Sequence, residues 1–280
     1  VTASIARPAV GCEASYAAFS FPFEVASPSP EVAAAVDFIY REMRAPRAHG
    51  STPLRIEIRK RNEILELSFD GVTTASGGLG DILHQLDNEL TIFLERARPR
   101  LYFVHAAVLA EDGRGTLLVG ESGAGKSTTS YALAASGMGY LSDEMAAIEP
   151  ETGRIHPYPR AICLKGDPPP PLRLPPGCLR TEWTVHVSPA ALSAPIVKEP
   201  VSLDRALFVR YSPANRQPAL RPLSRAEAAA RLYQGALNQL VHPGLGLDVT
   251  LELAARARCF ELLSAGIEET VRVIRQPAAP

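Results

Sequence analysis

The sequence predicts an α/β fold in two parts, a small α+β region over residues 1–98 and a larger α/β domain over residues 99–280. Three observations carry this. Before residue 98, segments that alternate every second residue are mixed with segments of helical period. From Leu101 the texture changes to short apolar runs of buried-strand type. Between one such run and a helical stretch lies GESGAGKS, Gly120 to Ser127.

The elements follow in order. The first fifteen residues show no period and read as a loose arm. FSFPFEV, with Phe19, Pro22 and Phe23, reads as an edge strand, because proline is tolerated there and not in a sheet centre. PSPEVAAAVDFIYREM is a short helix capped near Ser29. LRIEIRKRN and ILELSFDG alternate and are joined at Arg61-Asn62-Glu63 as a hairpin. TTASGG reads as flexible. DILHQLDNELTIFLERA then puts Leu83, Leu86, Leu90 and Phe93 on one helix face, expected to pack on the hairpin.

In the second part LYFVHAAVLA is one strand, EDGRG a turn and TLLV a second strand. STTSYALAASG is a helix ending at Gly137. GYLSDEMAAIEP is a further strand with a turn at Glu151-Thr152-Gly153, and RIHPYPRAICLK a strand with a proline-bent entry. GDPPPPLRLPPG is too rich in proline for a helix or sheet interior and reads as a stiff surface loop or linker. A strand follows at Arg205 to Tyr211. A helix from Ser224 places Ala226, Ala230, Tyr233, Leu237 and Leu240 along one face, and after LDVTLELAARARCFELLS the chain ends in the helix IEETVRVIRQ. There is no internal repeat and no long charge block.

Bulk properties narrow the function classes. The 280 residues are 46% hydrophobic and 21% charged, which is ordinary for a globular protein. A formal net charge of −1 gives no overall field toward nucleic acid or acidic lipid, so neither is expected as a partner. No run is long and apolar enough for a membrane helix, and the N-terminal residues lack a secretory apolar stretch. Cys12, Cys163, Cys178 and Cys259 are scattered, which suits reduced thiols better than a disulfide framework. A cytoplasmic protein is the expectation.

GESGAGKS satisfies G-x-x-x-x-G-K-[ST] in full. Gly120, Gly123 and Gly125 let the backbone fold so that the amides of the loop, Glu121, Ser122 and Ala124 included, turn inward on phosphate oxygens. The helix opening near Lys126 adds its positive end. Lys126 is a mobile charge for the β- and γ-phosphates, Ser127 a hydroxyl for Mg²⁺, and Thr128 the next residue in the cradle. The strand–loop–helix order is the context such a motif requires. ATP with Mg²⁺ is therefore the expected ligand.

A triphosphate site needs a carboxylate on its metal side. Asp143 and Glu144 stand after GYL, one crossover beyond the loop helix. On a strand they would face opposite ways, one on Mg²⁺ and the other free for another task; at a turn both could reach the metal. His105 is either a core histidine with a satisfied hydrogen bond or the partner of a carboxylate near the γ-phosphate. Arg160 and Lys165, on one expected strand, are either surface charges or cations flanking the transferring phosphate. His49, His84, His156, His186 and His242 form no metal cluster in the sequence.

VHAAVLAEDGRGTLLVGESGAGKSTTSYALAASGMGYLSDEMAAIEP resembles the catalytic core of HPr serine kinase/phosphorylases. It is more similar still to the HPr-kinase-like enzymes of peptide-natural-product pathways, including lasso-peptide kinases. A histidine before the loop, the loop itself and a paired acid after the next strand match at His105, Gly120 to Ser127, and Asp143-Glu144. The similarity covers about 65 residues, from Leu101 to Lys165. It implies a P-loop of the phosphoenolpyruvate-carboxykinase type on a mixed sheet. It also implies Lys126 on the phosphates, Ser127 with an acid on Mg²⁺, and an acid near the acceptor hydroxyl. Two features depart from the family. Glu144 stands where the second acid is usually Asp, and PYPRAICLK with the proline stretch replaces a glycine-rich loop used in the phosphorylase reaction and in partner binding. The resemblance thus implies neither HPr as acceptor nor reversal. HPr kinases form hexamers, so a homo-oligomer is compatible with it.

The expected activity is transfer of the γ-phosphate of ATP to a hydroxyl, serine first, of a protein or small peptide, with Asp143, held by His105, as base. The alternatives are a small-metabolite kinase and a nucleotide-binding regulator. ABC- and RecA-type machines are disfavoured, because there is no LSGGQ-like signature and no four-residue apolar run before Asp143.

Overall fold

The computed structural model describes residues 12–47, 52–212 and 214–276, which fall into two compact units divided between Leu94 and Glu95. No helix among the described residues is long and apolar enough to cross a membrane.

The first unit contains β1 (Cys12–Ala18), β2 (Phe21–Ser27), α1 (Pro30–Tyr40), β3 (Leu54–Arg61), β4 (Ile64–Phe69), β5 (Val72–Gly77) and α2 (Leu79–Ala97). Its five strands lie in chain order. Three pairs are antiparallel and closed by two-residue turns, and those turns hold positive φ at Phe19, Ser20, Asn62, Asp70 and Gly71. β2 and β3 are parallel, so the chain must cross over between them, and α1 makes the crossing. Ser29 caps α1 by accepting from the Val32 amide, with Pro30 in the first turn. Strand alternation turns Val25, Ile56, Ile58 and Leu67 inward, and Tyr16, Phe23 and Tyr40 meet ring to ring.

Four expectations fail here. The arm is not loose from Cys12 onward, because residues 12–15 belong to β1; residues 1–11 lie outside the described ones. β2 is not an edge strand, since β1 and β3 flank it. Proline is accommodated because Pro22 precedes Phe23, where pairing with β3 begins. TTASGG is not flexible: all but its last glycine lies in β5, where the Ser68 and Thr73 hydroxyls pair beside a register shift. On α2 the inward face is Ile82, Leu83, Leu86, Leu90 and Leu94; Phe93 is only half-buried and meets Phe21.

The second unit continues with β6 (Tyr102–Val104), β7 (Ala106–Glu111), β8 (Arg114–Val119), α3 (Lys126–Ala135), β9 (Gly139–Ser142), β10 (Ala146–Ile148), β11 (Arg154–His156), β12 (Ile162–Leu164), β13 (Leu179–Arg180) and β14 (Val185–Val187). It is completed by β15 (Val201–Tyr211), β16 (Ala219–Pro222), α4 (Arg225–Gln234), α5 (Leu247–Arg256), β17 (Arg258–Ser264) and α6 (Ile267–Arg275). A nine-stranded mixed sheet is organised around the long β15. β8 runs parallel along one edge of it, and β11 then β17 follow each other along the other edge. β12, β14 and β13 form a separate small sheet.

Both faces of the large sheet are buried. Ala106, Val108, Leu117, Ala206 and Phe208 face α4 and α5 through Ala228, Leu232 and Leu253. Ala107, Leu109, Leu118, Leu207 and Val209 face Tyr131 and Leu133 of α3, Ile274 of α6, and the small sheet. Each large apolar side chain buried this way contributes about 2 kcal/mol, which accounts for the continuously apolar strands.

The chain subdivides more finely than periodicity suggests. LYFVHAAVLA breaks at His105 into β6 and β7, which take different neighbours, because the His105 amide donates to the Gly235 carbonyl at 2.7 Å. GYLSDEMAAIEP breaks at Asp143-Glu144-Met145, and RIHPYPRAICLK splits into β11 and β12 in different sheets. α4 ends at Gln234 and buries Ala228, Ala229 and Leu232, while Ala226, Ala230, Leu237 and Leu240 are exposed and Tyr233 half-buried. Its start at Ser224 is as expected, and a reciprocal Ser224–Glu227 capping box closes it. All four cysteines are free.

Candidate active site

β8 and β15 run parallel, so both point their C-terminal ends to the same side, where the chain leaves Val119 for the glycine-rich loop. Gly120 has no room for a side chain, since a Cβ would sit 2.9 Å from the Val209 carbonyl. Gly125, at φ 96°, precedes the first residue of α3. The first turn of α3 has amides without intrahelical acceptors, and they open at this loop. Lys126 is 6% exposed, and its Nζ donates to the carbonyls of Gly120 at 2.7 Å and Glu121 at 3.2 Å. Burial lowers its pKa against the pull of Glu144 and Asp143. Lys165 follows β12 and donates to the Ser122 hydroxyl at 2.9 Å, tying the loop from outside. Glu121, Ser122 and Gly123 are exposed, and Ala124, Ser127 and Thr128 half-buried.

The paired acids lie on a bend at the end of β9. Ser142 Oγ accepts from the amides of Glu144 and Met145, which turns the chain and separates the two carboxylates. Asp143 is 2% exposed; its Oδ2 accepts from the Cys163 amide at 3.0 Å, and its Oδ1 is buried with no partner. Burial pushes its pKa up to about 7, opposed by the Cys163 amide, Arg160 and the Ser127 hydroxyl, with Glu144 adding to the rise.

Glu144 is more open and stands between two cations or potential cations. Its Oε1 is 3.4 Å from His105 Nδ1, and its Oε2 is 3.3 Å from Arg160 Nη1. His105 therefore faces Glu144 and not Asp143. Burial lowers the His105 pKa, Glu144 opposes this and Lys126 adds to it. Arg160 is buried ahead of β12, so it and Lys165 bracket that strand rather than sharing it. Its carbonyl accepts from the Tyr140 hydroxyl at 2.9 Å. Tyr140→Phe should remove that anchor, costing roughly 1 kcal/mol, which urea unfolding of the wild type and the variant would check.

A cleft of about 870 Å³ opens beside the loop, with His105, Gly120, Glu121 and Ser122 on one side and Phe208, Arg210, Arg231 and Glu261 on the other. Glu261 lies 3.3 Å from Arg231 and 4.0 Å from Arg210, and the Arg231 guanidinium stands over the Phe208 ring. These residues carry no local motif and come from strands and a helix more than eighty residues beyond the loop. A second cleft, of about 530 Å³, lies on the other flank of the loop.

The remaining described histidines make other bonds. His84 meets Asn88, His156 meets Glu149, His186 meets Thr184 and His242 meets the Leu101 carbonyl. Burial, with Arg160 nearby, pushes His186 down to about 3. His49 lies outside the described residues. Among the described residues no group of three or more His, Cys, Asp or Glu is gathered for a metal. A divalent ion shared with phosphate oxygens needs fewer protein ligands. The partnerless Asp143 Oδ1 with the Ser127 hydroxyl is a donor set that fits Mg²⁺.

No family model matches the chain, and no curated protein matches it. Among solved structures, the chain is similar to the Hpr(Ser) kinase/phosphatase from Coxiella burnetii. The match has 14% identity and a TM-score of 0.31, covering 62% of this chain and 93% of that one.

Proposed function

We propose that this chain is an ATP-dependent kinase that transfers the γ-phosphate to a hydroxyl, serine first, of a peptide or protein. One observation carries the reading. A glycine-rich loop with a buried lysine faces a buried carboxylate with an unpartnered oxygen, and a His105–Glu144–Arg160 group stands beside them.

The loop amides and Lys126 would bind the polyphosphate and offset the charge that spreads over the transferring group. Ser127 and Asp143 would hold Mg²⁺, which neutralises charge on the β- and γ-phosphates when bound. Asp143 is too enclosed to meet an acceptor, whereas His105 lines the larger cleft. Glu144, steadied by Arg160, orients the imidazole through Nδ1. That leaves Nε2 of a neutral ring to take the proton as the acceptor oxygen attacks the γ-phosphorus in line and the ADP oxygen departs. The base is thus His105, with Glu144 positioning it. A peptide acceptor is favoured because Leu237 lines the cleft and exposed Leu240 and Val241 follow it, offering contacts for apolar side chains. ATP use and four free thiols agree with a cytoplasmic setting.

His105→Asn should lower kcat by about 10²- to 10⁴-fold with nucleotide affinity unchanged. In the wild type the base has a lowered pKa and works deprotonated, so kcat should rise with pH below the usual histidine range and be flat from pH 7 upward. Intact-mass detection of a phosphate added to serine peptides, compared with metabolite acceptors, tests the activity. Transfer only to metabolites would overturn the peptide assignment.

A further inference from the structure

The two clefts beside the loop differ in chemistry. The larger holds His105 and two arginines. The other adjoins Gly125, Thr128 and Thr129 at the start of α3, and no residue lining it carries a charge. Lys126 and Asp143 mark the γ end of a bound polyphosphate. The α-phosphate and what it carries must then leave along the helix start, on the Thr128 flank. Pro169, Pro170 and Tyr211, the last on the border shared with the larger cleft, form walls of this cleft and offer flat, neutral surfaces for a ring.

Its far side is built and fixed. The Ala265 amide donates to Thr270 Oγ1 at 3.2 Å, and that hydroxyl donates to the Gly266 carbonyl at 2.9 Å. Asn215 Nδ2 donates to the Ser264 carbonyl at 3.0 Å. A carbonyl only accepts, so the amide nitrogen must face it, and Asn215 keeps Oδ1 as an acceptor. An acceptor there suits the exocyclic amino group of adenine, whereas guanine would oppose it with O6. The cleft also has no carboxylate to receive the N1–H and amino group of guanine.

From this we infer that the smaller cleft is the nucleoside site and that it selects adenine over guanine, with Tyr211 stacking on the base and Asn215 reading its amino group. The inference rests on the kinase reading of the loop. Calorimetry with Mg²⁺ and tripolyphosphate, ATP or GTP separates the two claims. ATP should bind at least about tenfold more tightly than tripolyphosphate and GTP. Tyr211→Ala should raise the ATP Kd about tenfold, the size of one lost base stack, and leave tripolyphosphate unchanged as a fold control. Asn215→Ala should narrow the ATP/GTP ratio. If tripolyphosphate binds but ATP is no tighter, or if neither variant changes ATP binding, the nucleoside site is wrong while the loop stands. If neither tripolyphosphate nor ATP binds, the loop reading fails and this inference falls with it.

Discussion

Lys126→Ala is expected to abolish detectable MgATP binding and to lower phosphotransfer at least about 10³-fold. The reason lies in where the ammonium is kept. It is 6% exposed and held by two loop carbonyls, with Asp143 and Glu144 both raising its pKa against burial. A polyphosphate can take over these contacts as a better partner, with hydrogen bonds strengthened by full charge on both sides. Alanine removes the ammonium at the start of α3 and leaves the incoming charge to the amides and to Lys165 on the outside of the loop. The fold should survive, because Leu118, Leu207 and Tyr131 belong to a core cluster that does not include the lysine side chain. Circular dichroism and calorimetry on one preparation decide the matter. Unchanged ATP affinity in folded Lys126→Ala protein would falsify the phosphate cradle.

Asp143→Asn should separate binding from chemistry. Nucleotide affinity should change only a few-fold, while Mg²⁺-dependent transfer should fall by about 10³, since the amide cannot supply a charged ligand beside Ser127. A second signature belongs to stability. The folded pKa of Asp143, about 7, lies above its ordinary 3.8, so the folded protein binds a proton that the unfolded chain releases. That contribution is complete below pH 3.8, declines as pH rises and is gone above pH 7. Metal-free wild type should therefore lose roughly a few kcal/mol from this group across that window, and the asparagine variant should not. Denaturant melts at pH 5 and pH 8, without divalent ions, would show the variant gaining on the wild type at the higher pH. Parallel curves would mean that Asp143 is not a buried carboxylate.

Much of the loop was legible because its chemistry is local. Gly120 to Ser127 must supply closely spaced amides, a cation and a hydroxyl, and these occur in consecutive residues between a strand and a helix. Asp143 and Glu144 were legible as a pair, but not their division of labour. That division depends on the Ser142 hydroxyl bending the chain, on the Cys163 amide taking Asp143, and on Arg160 meeting Glu144. Periodicity took His105 as interior to one strand, because the bond that breaks the strand comes from Gly235, far along the chain. The α4 face was misread for a related reason. An alanine-rich helix offers little contrast, and contact with β17 and α5 decides which side is buried.

By itself the sequence determined an α/β chain with a glycine-rich loop between a strand and a helix, a nearby acid pair, a helix capped at Ser29 and a helix starting at Ser224, since each follows from neighbouring residues and short-range hydrogen bonds. Only the tertiary structure decided that Asp143 is enclosed, that Glu144 meets His105, that Lys165 ties Ser122, and that Arg231 and Glu261 line a cleft with them. These facts depend on distances across strands far apart in the chain. Burial and Coulombic attraction act through space and leave no mark on residue spacing.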